Sequence, residues 1–313
     1  MYCGGEMARP EILMSNEGTS SYTVFGIKAE AERIAPGLHV VATPIGNLKD
    51  ISLRALMTLA SANAVLAEDT RVSRTLLAHY GITTPLIAYH EHNAVEMRPK
   101  VLKRLHAGEA LALISDAGTP LVSDPGYKLV EAVLDEGMKV TPVPGPSAVL
   151  AALVAAGLPT DRFFFEGFLP PKSAARCERL SLLATIPSTL VFFESPRRVA
   201  AMLADSAEIL GNRQATVARE LTKMFETVKR GTLSELAEDF EASGPPKGEI
   251  VVLIGPPTAE TDVVHDDADL DTRIRRHLSR MSIKDATVVT VEETGLPRRH
   301  IYARAVALAR GDE

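Results

Sequence analysis

The sequence predicts an α/β protein: two α/β domains followed by a small helical C-terminal module. Three observations lead there. Between residues 37 and 157 a short apolar strand, a glycine- or proline-bearing loop and a helix recur four times, the pattern of a parallel sheet covered by helices. Beyond Leu158-Pro159 the grain changes to aromatic and β-branched strands spaced by helices. A chain of 313 residues is also long enough for two cores.

Residues 1–36 show no firm period and read as a flexible N-terminal extension, so ordered structure is expected from Gly37. The apolar strand 38–42 stops at the turn composition Thr43-Pro44-Ile45-Gly46-Asn47. Asp50 or Ser52 caps the next helix, whose apolar face is Leu53, Leu56, Met57 and Ala60. A second strand, 64–67, ends at Glu68-Asp69-Thr70-Arg71 and is followed by a helix over about 73–80. Val101, Leu102 and Leu105 mark a helix face, 110–114 a strand, and 115–126 a long turn-rich loop. The helix 127–136 closes at Gly137. The strand 139–143 runs through Pro144-Gly145-Pro146-Ser147 into an alanine-rich helix. Ligands of such sheets sit beyond the carboxyl ends of the strands, where the loops 43–47, 68–71, 115–120 and 144–147 would gather.

The second domain is expected over 158–256, with strands at 163–165, 189–193, 216–219 and 250–254 and helices near 174–184, 197–210 and 232–241. A hairpin-like stretch at 222–231 extends its sheet, which should be mixed. Residues 257–313 hold an acidic linker and a helical tail. Within that tail Thr287-Val288-Val289-Thr290-Val291 favours a strand by propensity, and tertiary context is expected to make it helical.

Composition sets the outer limits. Apolar residues are 46% and charged residues 24%, ordinary for a globular protein. Cys3 and Cys177 cannot build a disulfide scaffold, which favours a reducing compartment. No signal peptide and no bilayer-spanning stretch is visible, so a cytoplasmic protein is expected. The net charge of −6 excludes an indiscriminate nucleic-acid coat. It is a sum of unlike parts: 273–310 holds nine basic and three acidic residues, about +6, leaving about −12 for the rest. The basic stretch is either a solvated helical face or a small module that touches phosphate, with Arg298, Arg299 and Tyr302 in its densest part.

Several chemistries are absent. The turn after the first strand lacks the GxGxxG of dinucleotide folds, and no P-loop or GxSxG motif occurs. His90 and His92 flank Glu91 without metal-ligand spacing, and no metal is expected. What stands out is SDAGTP at 115–120 followed by SDPG at 123–126. Glycine lets backbone approach a ligand, and proline fixes the turn. Asp116 is then a ligand contact or a loop-stabilising acceptor, and Asp124 reads more as a helix cap.

Nine strings bring a family into view. They are VATPIGNLKDISLRAL at 41–56, AEDTR at 67–71, HEHN at 90–93, ISDAGTPLVSDPGYKLV at 114–130 and PVPGPSAVLAAL at 142–153. GLPTDRFFFEGFLPPK at 157–172, VFFESPRR at 191–198, ARELTKMFET at 218–227 and KGEIVVLIG at 247–255 complete them. In that order the chain resembles the ribosomal RNA small-subunit methyltransferases of the tetrapyrrole-methylase-like superfamily.

The resemblance implies two α/β domains with S-adenosyl-L-methionine in the cleft between them. It also implies methyl transfer to the ribose 2′-hydroxyl of a cytidine in the decoding region of 16S rRNA, and a homodimer. The substrate would be that RNA in the context of the small ribosomal subunit, with no membrane involved. Carried onto this sequence, the implied cofactor contacts are Pro44, Asp116, Gly118, Thr119, Ser147, Phe193, Leu221, Lys247 and Glu249. A ribose hydroxyl is a poor nucleophile, so a base or orienting group is expected among Glu68, Asp69, Glu220 and Lys223. Lys223 would need a lowered pKa to act as a base, and could instead bind RNA phosphate. Arg71, Arg197, Arg198, His90 and His92 are further RNA candidates, each against a plain structural role. Two alternatives remain at this level: a relative acting on a tetrapyrrole or protein side chain, and a ribosome-associated RNA-binding protein without catalysis.

Overall fold

The computed structural model describes residues 20–123, 126–257, 267–294 and 298–310. The chain divides into two compact units. The first runs to Ala155 and takes in Ala218–Val228 and Gly248–Val251; the second holds Ala156–Val217, Lys229–Lys247 and the chain from Val252 on.

Ordered structure begins before Gly37, which corrects the expected boundary. Strands β1 (Ser21–Val24) and β2 (Ile27–Glu30) form an antiparallel hairpin. Phe25 and Gly26, both at positive φ, make its two-residue turn. The hairpin is tied down by Thr23 N–H donating to the Tyr80 carbonyl at 2.7 Å and by Tyr22 and Val24 packing on the core.

The rest of the first unit alternates strands and helices. In order these are β3 (Gly37–Val41), α1 (Leu53–Ser61), β4 (Ala64–Ala67), α2 (Thr70–His79), β5 (Leu86–Ala88) and α3 (Ala94–His106). They continue as β6 (Ala110–Ile114), α4 (Tyr127–Asp135), β7 (Val140–Val143) and α5 (Ala148–Ala156). The strand order is β5-β4-β6-β3-β7, and every pairing is parallel. Apolar clusters cover both faces, one around Leu56, Leu59 and Ile114 and the other around Leu66, Leu113 and Leu129. A parallel ladder therefore delivers its strand ends, and the loops after them, to one edge. Ser52, not Asp50, caps α1: its Oγ accepts from Ala55 N–H at 3.1 Å. The helix after β4 starts at Thr70, earlier than predicted, because Asp69 caps it.

Beyond α5 the chain continues with β8 (Phe163–Phe168), α6 (Ser173–Leu183), β9 (Thr189–Glu194), α7 (Val199–Leu210), β10 (Gln214–Arg219), β11 (Thr227–Thr232), α8 (Leu233–Ser243) and β12 (Ile250–Ile254). The order of this second sheet is β11-β10-β12-β9-β8, with β8 and β9 parallel. A capping box of Thr232 and Glu235 starts α8. The expected hairpin-like stretch at 222–231 resolves into a turn and then β11.

The tail folds as α9 (Asp267–Leu278), α10 (Ile283–Thr294) and α11 (Arg298–Arg310). Leu270, Ile274, Ile301 and Ala305 form its small core. The β-branched run 287–291 is helical, as expected. Thr287 and Thr290 are buried and donate their hydroxyls to the carbonyls of Ile283 and Ala286, so no polar group is stranded. Arg304 grips Asp271 through two hydrogen bonds at 2.7 and 2.6 Å, tying α11 to α9.

Candidate functional site

Three of the loops at the sheet edge are stitched to one another. Thr43 and Gly118 exchange two backbone hydrogen bonds, at 2.9 and 3.0 Å, and the buried Thr43 Oγ1 donates to the Ser115 carbonyl at 3.2 Å. Thr119 Oγ1 donates to the Pro146 carbonyl at 3.2 Å. Gly118 holds φ +82°, where a side chain would be strained and would press on Ile45. The fourth loop joins through Asp116, whose Oδ1 accepts from Asp69 N–H at 3.1 Å.

A second corner forms within the same unit from 218–228 and 248–251. Glu220 N–H donates to the Glu249 carbonyl, and Glu249 N–H returns to Glu220 Oε1, both at 3.0 Å. Lys223 Nζ donates to Glu220 Oε1 at 2.7 Å and to Glu249 Oε2 at 3.1 Å. The stem of Lys223 lies on the bare α-carbon of Gly46 in the turn after β3. Beside this corner is a small cavity lined by Ile45, Ala148, Ala218, Leu221, Glu249 and Val251. Its wall is apolar except for Glu249.

Of the residues expected to contact the cofactor, Leu221 and Glu249 line this cavity. Pro44, Asp116, Gly118, Thr119 and Ser147 stand in the loops that shape this edge and do not themselves line it. Ser147 sits at the start of α5, its Oγ accepting from Leu150 N–H at 3.5 Å. Lys247 is exposed. Phe193 lies in the second unit, edge-on to Phe165 at 5.0 Å between ring centroids and tilted to Phe168 at 5.6 Å. Ile45, Ala148, Ala218 and Val251 were not singled out from sequence. The only available signal was their adjacency to Pro44, Ser147, Arg219 and Ile250 in the matching strings.

The candidate bases separate clearly. Glu68 has its pKa raised, first by burial and then by the charge of Asp116, with His90 working in the opposite direction. Asp69 is lowered to about 2 by its hydrogen bonds with Arg71. It caps α2 and pairs with Arg71, so it is committed and poorly basic. Glu220 is lowered by its hydrogen bonds from Lys223 and Glu249 N–H. For Lys223 burial opposes the charge, yet the hydrogen bonds to Glu220 and Glu249 outweigh it and hold its pKa above the ordinary lysine value. That shift is opposite in direction to the one a base role for Lys223 requires and favours the cation.

The RNA candidates also divide. Arg71 is 85% exposed, so its pair with Asp69 is a weak surface tie that leaves the guanidinium presentable. His92 is exposed and its ring centre is 6.1 Å from that of His90. Asn93 stabilises this loop, accepting from His90 N–H and donating to the Ala88 carbonyl. Arg197 is exposed. Arg198 is the most engaged of them: it donates to the Leu169 carbonyl at 2.7 Å and to the fully buried Glu194 at 3.1 Å. Arg298 is exposed and Tyr302 is 53% exposed on α11. The Arg299 side chain and Asp124 lie outside the described residues.

Comparisons with known proteins agree with this architecture. The family model of the tetrapyrrole (corrin/porphyrin) methylases matches residues 37–237, and that of the RsmI C-terminal HTH domain matches 264–309. The ribosomal RNA small subunit methyltransferase I of Mesorhizobium japonicum is 52% identical over 89% of this chain and 94% of its own length. The protein of the same name from Pseudomonas aeruginosa is 47% identical over 86% and 96%. Among solved structures, cobalt precorrin-4 methyltransferase superposes with a TM-score of 0.54 at 21% identity, covering 70% of this chain and 94% of that one. Uroporphyrin-III C-methyltransferase from Thermus thermophilus, complexed with S-adenyl homocysteine, gives 0.51 at 20%, covering 70% and 97%. These structural matches concern the fold.

Proposed function

Because the chain belongs to the family of tetrapyrrole (corrin/porphyrin) methylases, we propose that it transfers a methyl group from S-adenosylmethionine to the ribose 2′-hydroxyl of a cytidine in 16S rRNA. One observation carries the substrate: a relative named as a small-subunit rRNA methyltransferase aligns over 89% of this chain, and the RsmI C-terminal HTH model matches the helical module. A tetrapyrrole substrate would give that basic module nothing to do.

The chemistry of the residues, rather than the size of the closed cavity, suits the cofactor. The apolar wall of Ile45, Ala148, Ala218, Leu221 and Val251 suits an adenosine, with the Glu249 carboxylate beside it. The exposed Asp116 carboxylate suits a sulfonium. S-adenosylmethionine bound there supplies an activated methyl group. The protein's own contribution is placement, since displacement at carbon needs the acceptor oxygen in line. Glu68, kept more basic than a free carboxylate by burial and by Asp116, takes the hydroxyl proton. Lys223, held as a cation, faces the RNA backbone. The module of α9 to α11 presents Arg298 and Tyr302 to the same RNA. The protein works as a homodimer in the cytoplasm, the arrangement the family resemblance implies.

The test is methyl transfer to small ribosomal subunits, followed by mapping of the modified nucleotide. Methylation of a base, or of no RNA at all, would refute the reading.

A further inference from the structure

The turn 220–226 carries two features that the cofactor cavity leaves unexplained. Glu220 and Thr222 both adopt positive φ, +52° and +66°. For a β-branched residue this is a true backbone outlier, where glycine or asparagine would be relaxed. The turn is held there by Thr222 N–H donating to Glu226 Oε2 at 2.7 Å and Lys223 N–H donating to the Glu220 carbonyl at 3.0 Å. The second feature is the Thr222 hydroxyl. Its Oγ1 is buried and has no hydrogen-bond partner among the described residues. It points at the turn after β3: a Cβ built on Gly46 would stand 3.0 Å from it.

The buried threonines Thr43, Thr216 and Thr290 satisfy their hydroxyls, while Ser73, Ser188 and Tyr89 share the unpaired state of Thr222 without its strained backbone. Threonine here accepts backbone strain and an unpaired donor together. The arrangement makes sense for a group awaiting a ligand. Lys223 shares the space over Gly46 with it, its stem on Gly46 and its ammonium on Glu220 and Glu249. The neighbour on the other side, Leu221, lines the apolar cavity. Position therefore separates the roles along three consecutive residues: apolar cofactor wall, hydroxyl, cation.

We propose that the Thr222 hydroxyl binds the acceptor ribose, and that Lys223 clears the space beside it by exchanging its carboxylate partners for an RNA phosphate. This rests on the functional reading above. The hydroxyl orients the sugar beside Gly46, in the space that the Lys223 stem occupies until it swings to the phosphate.

The test compares Thr222→Val and Thr222→Ser in the full-length protein with small ribosomal subunits as substrate. Thr222→Val keeps the shape and removes the hydroxyl. It should leave calorimetric S-adenosylmethionine binding unchanged and the thermal midpoint equal or higher, since an unpaired buried donor is lost. Its kcat/KM for subunits should fall about tenfold, the size of one hydrogen bond. Thr222→Ser should stay within about threefold of the original protein. A Val variant of full activity, a Ser variant as poor as Val, or a parallel loss of cofactor affinity or midpoint would each overturn the proposal. If the unaltered protein methylates no ribose, the functional reading fails instead.

Discussion

Gly248 stands against the carboxylate of Glu220 so closely that a Cβ on it would collide with Glu220 Cγ, Cδ and Oε1. Its φ of +97° excludes other residues independently. The corner that carries Leu221 and Glu249 to the cavity closes only because this residue has no side chain. Gly248→Ala should therefore cost about 1–3 kcal/mol of stability, read as a lowered thermal midpoint. It should also weaken S-adenosylmethionine binding. A variant with unchanged midpoint and affinity would show that the corner is pliable.

Asp116 offers a different kind of test, because its carboxylate is exposed and makes one tie, to Asp69 N–H. Asp116→Ala should leave the fold largely intact and reduce S-adenosylmethionine affinity by about tenfold, the worth of one charged contact. Unchanged affinity by calorimetry would sink the assignment.

Lys223 distinguishes a cation from a base. A base whose pKa is raised on folding contributes its full stability below the unfolded value and loses it only as pH rises through the folded one. The ion pairs of Lys223 are therefore intact at neutral pH; on the alkaline side they fail above ordinary lysine titration, and on the acid side as the carboxylates protonate, Glu220 below the ordinary carboxylate range. Lys223→Arg, which keeps the charge, should retain most of the methyl-transfer rate. Lys223→Met should lose about tenfold in kcat/KM with a flatter salt dependence. An inactive arginine variant would restore the base role.

How far the sequence leads depends on what a residue is for. The loop SDAGTP announces itself because Gly118 and Pro120 serve backbone geometry, and those types are conspicuous. The parallel sheet is legible in apolar runs such as 110–114, buried along their whole length. Ile45, Ala148, Ala218 and Val251 line the cavity yet look like any core residue, since an apolar wall has no marked chemistry. The hairpin at 21–30 escapes because its strands are four residues long and its turn is Phe25-Gly26 rather than an asparagine-glycine pair. β5 has three residues, too few for a period. The fate of Asp69 and Arg198 is likewise a matter of partners, which only folding reveals.

The helical module should matter to RNA and not to the cofactor. Its core of Leu270, Ile274, Ile301 and Ala305 closes on itself, and the cavity lining draws no residue from it. Deleting 262–313 should raise KM for small ribosomal subunits by an order of magnitude or more while calorimetric S-adenosylmethionine binding is kept. Equal loss of both would make the module structural.

Glu68 joins stability to catalysis in opposite directions. Its folded pKa lies above the unfolded one because burial, and then the charge of Asp116, disfavours the carboxylate. A group shifted upward contributes most below its unfolded pKa, and that contribution is lost as pH rises through the folded value. At neutral pH the ionised side chain is thus a burden on the fold. Glu68→Gln removes the burden, so the variant should melt higher than the original protein at pH 7. The two midpoints should converge as pH falls below the ordinary carboxylate range, where both side chains are neutral. If Glu68 takes the hydroxyl proton, the same substitution should lower kcat by about 100-fold or more. It should also abolish the acidic limb of the pH–rate profile, with KM for subunits little changed. A variant that is stabilised but fully active would leave Glu68 as an electrostatic neighbour of Asp116 and move the search for the base to the RNA itself.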